Sequence, residues 1–262
     1  MMSIWEALIL GFVQGATEFL PVSSSGHLVV AQELLDVHVE GVLFEVAVHV
    51  ATLVSIVLVY RERIGGLLAG MLRREREAWE YAGLIVAATI PAAVIGLAFE
   101  DRLEALFDDP VVPGVAFLVT GVLLWSSRGA LARGPEARPV LRVAILIGLA
   151  QALALVPGIS RSGSTVVAAL WLGVAPIEAA AFSFLMAVPA IAGAAVLQIP
   201  DVLAGPIEVS TAALLAGGVA AAVTGVLAIK TFVEMLRRRS FHHFALYLWV
   251  VGVAYLAWLA LR

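Results

Sequence analysis

The 262-residue sequence predicts an all-α polytopic membrane protein built as an inverted-topology repeat. Each half is read as a broken, re-entrant helical hairpin followed by three transmembrane helices. Three observations predict this. Hydrophobic residues make up 62% of the chain and charged residues 14%, against about 45–50% and about 25% in soluble domains. Apolar runs of about 20 residues, long enough for a hydrocarbon core of about 30 Å, recur along the whole length. Two further apolar stretches are broken at their centres by Pro, Gly and Ser, and they look like copies of one another.

The first broken stretch, 3–35, contains "GFVQGATEFLPVSSSGHL". Pro21 ends a helix there, and the serines that follow can cap the next one. The stretch is either one long span plus a loop or two half-helices folded as a hairpin; irregular backbone at membrane depth must be buried in protein or face a watery cavity. Spans follow at 42–60, 79–99 and 111–127. Between the first two, "RERIGGLLAGMLRREREAWE" alternates basic, acidic and apolar residues and reads as an amphipathic helix on the inner surface. The second broken stretch, 140–174, contains "VPGISRSGST" with Pro157, and spans at 178–199, 210–232 and 243–261 complete the chain.

A shift of 137 residues lays Gly11 on Gly148, Gln14 on Gln151, Ser23 on Ser160, Ser25 on Ser162 and Gly26 on Gly163. Val29, Val30 and Ala31 then fall on Val166, Val167 and Ala168, matches that come cheaply in so apolar a chain. Each break precedes three spans. Three is odd, so if each hairpin returns to its own side the second copy starts on the opposite side and is upside down, the plan familiar from secondary transporters. The repeats cover about 1–130 and about 138–262 of a single integral membrane domain. Charge gives an independent reading. Thirteen of the sixteen basic residues fall in three loops, among them Arg61, Arg73, Arg74, Arg128, Arg133, Arg142, Arg237 and Arg239. The intervening loops, near 36–41, 100–110 and 200–209, hold only Arg102. Basic loops stay in the cytoplasm, so both termini are expected outside. The absence of cysteine excludes disulfides and thiol chemistry. A net charge of −4 suggests no nucleic-acid partner, and the first residues lack the basic region of a cleavable signal peptide.

An ionisable residue inside a membrane is costly and is by default a functional candidate. Glu18, His27 and Arg161 all lie at the breaks, which the repeat brings together. Ser23, Ser24, Ser25, Ser160, Ser162, Ser164 and Thr165 supply hydroxyls, and Gly26, Gly158 and Gly163 would let backbone amides approach a ligand. The half-helices after the breaks would aim their N-termini at one spot, a ready anion site, and Arg161 adds a planar fork suited to phosphate. Glu18 beside phosphate implies a bridging divalent cation or acid–base work. The plainer readings are capping serines and a structural histidine. Glu45 and His49, one helical turn apart, either line the pocket or form an interfacial pair. His242 and His243 read as cytoplasmic surface, and Glu33, Asp36, His38 and Glu40 as a solvated rim.

The two break motifs closely resemble the signature regions of the undecaprenyl-diphosphate phosphatase family, the BacA type associated with bacitracin resistance. "EAAAFSFLMAVPAIAGAAVL" resembles the family's stretch after the second signature. The resemblance spans essentially the whole chain. It implies an integral membrane phosphatase that removes the terminal phosphate of a C55 polyprenyl diphosphate, recycling the carrier lipid for cell-wall or other glycan synthesis, with its active site open to the outer face. The family's first motif begins with Glu or Gln, and here Gln14 precedes Glu18, so a scheme needing two carboxylates from that motif is in doubt. By the same resemblance Ser24 is the nucleophile, His27 the motif histidine and Arg161 the phosphate-binding arginine. Gln14, Ser23, Ser25, Gly26, Ser160, Ser162, Gly163 and Thr165 complete the substrate site, with Glu18 on a Mg²⁺ or Ca²⁺ cofactor. The expected partners are the polyprenyl diphosphate and membrane lipids, with a homodimer as the assembly to test. PAP2-type lipid phosphatases share Ser-Gly-His and Ser-Arg fragments, but they need a histidine where Val167 stands. The rival class is a polyprenyl-phosphate flippase or small-solute transporter using the same repeat plan. Ser24, His27, Glu18 and Arg161 together speak against it, since a permease needs no such set.

Overall fold

Proline placement decides where the half-helices stop. A computed structural model describes residues 2–35, 43–131, 138–204 and 209–262. Asp36, His38, Glu40 and Arg133, assigned above to loops or a rim, lie outside the described residues. The first helix, α1 (Ile4–Phe19), starts at a capping box between Ser3 and Glu6. It ends in an extended Leu20 (ψ 149°), as a residue before proline must be. After the turn at 20–23 the chain reverses into α2 (Ser24–Leu35). In the second break α7 (Leu141–Leu153) stops four residues before Pro157, which has no amide for the Leu153 carbonyl. A run of turns leads to Ser160, whose hydroxyl accepts the Gly163 amide and caps α8 (Arg161–Trp171). Each pair of half-helices folds back on itself, α1 on α2 and α7 on α8, so both breaks are hairpin tips.

The remaining helices are α3 (Leu43–Leu72), α4 (Arg76–Ala98), α5 (Glu100–Asp108), α6 (Val111–Leu131), α9 (Pro176–Leu197), α10 (Ile199–Ala204), α11 (Thr211–Arg237) and α12 (Phe244–Leu261). A 3₁₀ turn at Phe241–His243 leads into α12. Six of these, counting α9 with α10 and the 3₁₀ turn with α12, are long and apolar enough to cross a membrane, matching the six spans read from sequence. Two expectations need correction. The mixed-charge segment after residue 60 is no separate surface helix: it continues α3 past a kink at Tyr60 (φ −102°, ψ 18°) and reaches α4 through a short turn. There Arg63 turns inward, bonding Glu178 on α9 and the Tyr81 hydroxyl on α4, which supplies a reason for the helix to continue. The loop expected at 100–110 mostly forms α5, whose acidic first turn (Glu100, Asp101) suits a helix N-terminus.

Small residues set the closest helix contacts, as expected where lipid offers no hydrophobic drive. Gly11 and Gly15 of α1 lie against the Gly217 and Ala221 carbonyls of α11, and a Cβ at either position would strike backbone. Gly148 of α7 meets the Ala88 carbonyl of α4 in the same way. Elsewhere α6 packs on α12, and α3 on both α9 and α11. Outward faces are apolar: Leu215, Val219, Val223 and Leu227 form an exposed stripe at four-residue intervals along α11, the pattern of a lipid-facing helix.

Candidate active site

The two hairpin tips meet at Glu18. It lies one turn after Gln14 on α1, is only 8% exposed, and is the acceptor on which the site is built. Gln14 Nε2 donates to Glu18 Oε2 at 3.1 Å, and Ser24 Oγ donates to the same oxygen at 2.5 Å. Arg161 donates through a terminal guanidinium nitrogen to Glu18 Oε1 at 2.7 Å. His49 Nε2 lies 3.9 Å from Glu18 Oε2. A buried carboxylate is tolerable only when paired and hydrogen-bonded, and this one is both. Ser24 and Arg161 are the first residues of α2 and α8, and the 137-residue shift makes them counterparts. Two helix N-termini, each with free first-turn amides, therefore converge on one spot. Both side chains remain partly accessible.

Arg161 is held in place by the residues around it. Its other terminal nitrogen donates to the Ser183 carbonyl of α9 at 3.4 Å, so three of its five donors stay free for a ligand. Thr165 donates to the Arg161 carbonyl at 2.8 Å and shares a 2.6 Å bond with the Ser183 hydroxyl. Ser162 donates to the Leu20 carbonyl at 3.0 Å, tying the second tip to the first. Thr120 of α6 donates to the Gly158 carbonyl at 3.0 Å. The hydroxyls of Ser160, Ser162 and Thr165 are thus engaged with protein, and Thr165 bonds the Arg161 backbone directly. The Ser164 hydroxyl is buried with no protein partner.

Two sequence-derived roles change. Gly26 does not open the backbone to a ligand: a Cβ there would meet the Phe117 ring at 2.7 Å and Gly158 Cα at 2.8 Å, so glycine lets the tips touch. Gly158 itself sits at φ +94°. His27, one turn beyond Ser24, has no bond to the serine. Its Nδ1 lies 2.8 Å from the Ser23 carbonyl and its Nε2 2.9 Å from the Tyr247 hydroxyl of α12. A carbonyl can only accept, so Nδ1 carries a proton, and in the neutral imidazole Nε2 accepts from Tyr247. The imidazole stacks on the Tyr247 ring, with centroids 5.7 Å apart. Ser23 is the reason for this arrangement. It adopts φ +69°, a left-handed conformation costing about 1–3 kcal/mol in a non-glycine residue. Its carbonyl is pinned by both the amide and the imidazole of His27. The Ser23 and Ser25 hydroxyls lie 3.3 Å apart.

His49 belongs to the pocket, whereas Glu45 bonds Gln32 on α2 at 3.1 Å. Glu33 pairs with Arg262, and His242 packs its ring against Trp125 rather than lying free on the surface. Nothing in the sequence sets Ser183, Thr120 or Tyr247 apart: each is a polar residue between apolar neighbours in a helix. Among the described residues no three His, Asp or Glu side chains are grouped to hold a metal alone. Beside Glu18, however, Gln14 Oε1 is buried without a partner. A carboxylate oxygen next to an unused carbonyl oxygen suits a hard cation that takes its other ligands from phosphate and water.

The bacitracin resistance protein BacA family matches residues 7–254. The chain is 41% identical over 265 residues to an undecaprenyl-diphosphatase of Alcanivorax borkumensis, covering 99% of this chain and 100% of that protein. It is 43% identical over 259 residues to one of Rubrobacter xylanophilus, covering 94% and 95%. A third, from Alkaliphilus metalliredigens, is 40% identical over 266 residues, covering 96% and 97%.

Proposed function

The chain belongs to the bacitracin resistance protein BacA family, and from that premise we infer its reaction: hydrolysis of undecaprenyl diphosphate to the monophosphate and inorganic phosphate. It is a membrane-bound phosphatase. The observation that carries the chemistry is the short Ser24–Glu18 hydrogen bond beside Arg161, at two converging helix N-termini. A serine hydroxyl is a weak nucleophile without a base in reach, and Glu18 is the base in reach. Ser24 Oγ bonds to the terminal phosphorus as its proton passes to Glu18 Oε2. The bridging P–O bond breaks and its electron pair leaves with the prenyl monophosphate. Water then cleaves the phosphoserine: its protons stay with inorganic phosphate, and Glu18 returns the serine's proton. Arg161 and the free amides of Ser24 and Ser25 hold the phosphoryl oxygens. Trapping labelled phosphate on the protein after a rapid quench tests this; label should reach Ser24 and vanish in Ser24→Ala. A fully active enzyme that never carries label would replace the serine with an attacking water.

A divalent cation, Mg²⁺ or Ca²⁺, would be held by the side chains of Glu18 and Gln14, whose Oε1 has no protein partner. When bound it supplies charge neutralisation at the diphosphate oxygens. Calorimetric titration of Mg²⁺ in the presence of a non-hydrolysable prenyl diphosphate tests it. Gln14→Ala should weaken the metal affinity, and an unchanged affinity would remove Gln14 from the ligand set.

The topology follows the repeat: termini and first hairpin on the outside, second hairpin entering from the cytoplasm, active site facing out. Reciprocal packing supports it. The first half-helix of each repeat seats on the second span of the other, α1 on α11 and α7 on α4. First spans pair (α3, α9), and third spans pair (α6, α12). Arg262 meets Glu33 near the end of α2, so the C-terminus lies at the mouth of the first hairpin. The repeat plan alone recommends a flippase or small-solute transporter, whereas the curated relatives named above are phosphatases.

A further inference from the structure

The reacting site handles a diphosphate, but the substrate is a diphosphate joined to an apolar chain. That chain must leave the polar site by a route lined with carbon. The structure offers one. A crevice of about 320 Å³ opens beside the first tip, with Phe12, Val13 and Ala16 of α1 as one wall and Phe244 and Tyr247 of α12 as the other. Val22 and His27 also line it, so the crevice borders the same tip that carries Ser24. α1 packs on α11 and α12 packs on α6, so the crevice is the gap between two separately anchored pairs. Its rim faces outward, with Phe12 57% and Tyr247 44% exposed. On α1, Val13 and Thr17 each precede a site residue, Gln14 and Glu18. One helix therefore carries an apolar face and a polar face about 100° apart, side by side.

We propose that this crevice is the binding site for the first isoprene units of the substrate. There the Tyr247 hydroxyl and His27 Nε2 border the ester oxygen that joins chain to diphosphate. The inference rests on the phosphatase reading and adds the chain's path and its selectivity. A 150 Å³ apolar cavity is large enough for a six-carbon ring, so the crevice seats about two five-carbon units. The rest of the chain lies in lipid. Each fully buried methylene is worth roughly a fourfold change in affinity. KM should therefore fall at least about tenfold from dimethylallyl to geranyl diphosphate, and by less than about threefold from farnesyl to geranylgeranyl diphosphate.

The test uses the purified full-length enzyme and these four diphosphates. Ala16→Phe fills the crevice. It should raise KM for farnesyl diphosphate about tenfold or more, toward the value for dimethylallyl diphosphate, so that the preference for longer chains is largely lost while kcat stays close to wild type. A farnesyl diphosphate analogue bearing a photoreactive diazirine on its first isoprene unit, applied to the unaltered enzyme, should label peptides containing residues 12–22 or 244–247. Label confined to other helices, or an Ala16→Phe enzyme with unchanged KM values, would overturn the assignment. If the unaltered enzyme releases no phosphate from farnesyl or undecaprenyl diphosphate, the phosphatase reading fails. Label in the crevice would then still establish a prenyl site.

Discussion

Replacing Glu18 by Gln removes the proton acceptor of Ser24 while keeping the shape of the side chain, and it should do two separable things. The first is catalytic. Ser24 Oγ loses a carboxylate 2.5 Å away and meets an amide that cannot take its proton. General-base catalysis is worth roughly 10²–10⁴-fold, so kcat should drop by about that factor. The second is structural. Arg161 is left with a buried charge facing no anion; its side chain is 15% exposed and that of Glu18 6%. Removing one partner of a buried ion pair costs about 3–5 kcal/mol. At about 2–4 °C per kcal/mol for a chain of this size, the melting temperature in detergent should fall by roughly 6–20 °C. The double variant Glu18→Gln, Arg161→Gln removes the uncompensated charge, so much of the thermal loss should be recovered while activity stays at the floor. Thermal unfolding and phosphate release from farnesyl diphosphate, run on the wild type, the single and the double variant, read the two effects independently. A Glu18→Gln enzyme within about tenfold of wild-type kcat would refute Glu18 as the base.

Arg161→Lys keeps the charge but loses the fork that spans Glu18, Ser183 and the phosphate, and kcat/KM should fall about 100-fold or more; near-normal turnover removes it from the site. Ser24→Ala should abolish turnover yet retain binding of a labelled prenyl diphosphate, and retained activity with a dead His27→Ala enzyme would hand the chemistry to another group. Ser23→Gly should be milder than Ser23→Ala, because the φ of +69° strains alanine but not glycine; equal behaviour in a thermal melt would discount the strain. Tyr247→Phe frees His27 Nε2 and should lower kcat by a modest factor of roughly 3–30 without altering the fold. An unchanged kcat would make that bond incidental. For topology, single cysteines introduced at Arg74 and at Asp109 in a chain that has none should differ in intact cells, the second alone reacting with an impermeant maleimide. The reverse pattern inverts the arrangement.

The site was legible because the surroundings are so apolar. In such a chain Glu18 and Arg161 stand out, and two matching breaks give a reason for residues 143 positions apart to meet. What spacing could not supply is the outcome of competition between hydrogen bonds. Ser24 and His27 are three apart on one helix, which suggests a pair. The left-handed Ser23 offers its carbonyl to the imidazole instead, while Ser24, at the first helical position, faces back across the turn toward α1. Nothing in the sequence announces that strain, and nothing ties His27 to a tyrosine 220 residues away. The continuation of α3 was hidden for a related reason. Its charges suggested a surface, but Arg63 is satisfied by Glu178 and Tyr81 from other helices.

The seat of α1 on α11 has a consequence for biogenesis. Gly11 and Gly217 touch, yet about 200 residues separate them along the chain. At a synthesis rate of roughly 5–20 residues per second, α1 emerges about 10–40 seconds before the surface that receives it exists. During that interval α1, with Glu18 near its end, has neither its groove nor Arg161, which is made 143 residues later. Commitment of that tip to lipid before Arg161 is made would leave the Glu18 carboxylate unpaired in an apolar medium, a cost the finished protein avoids.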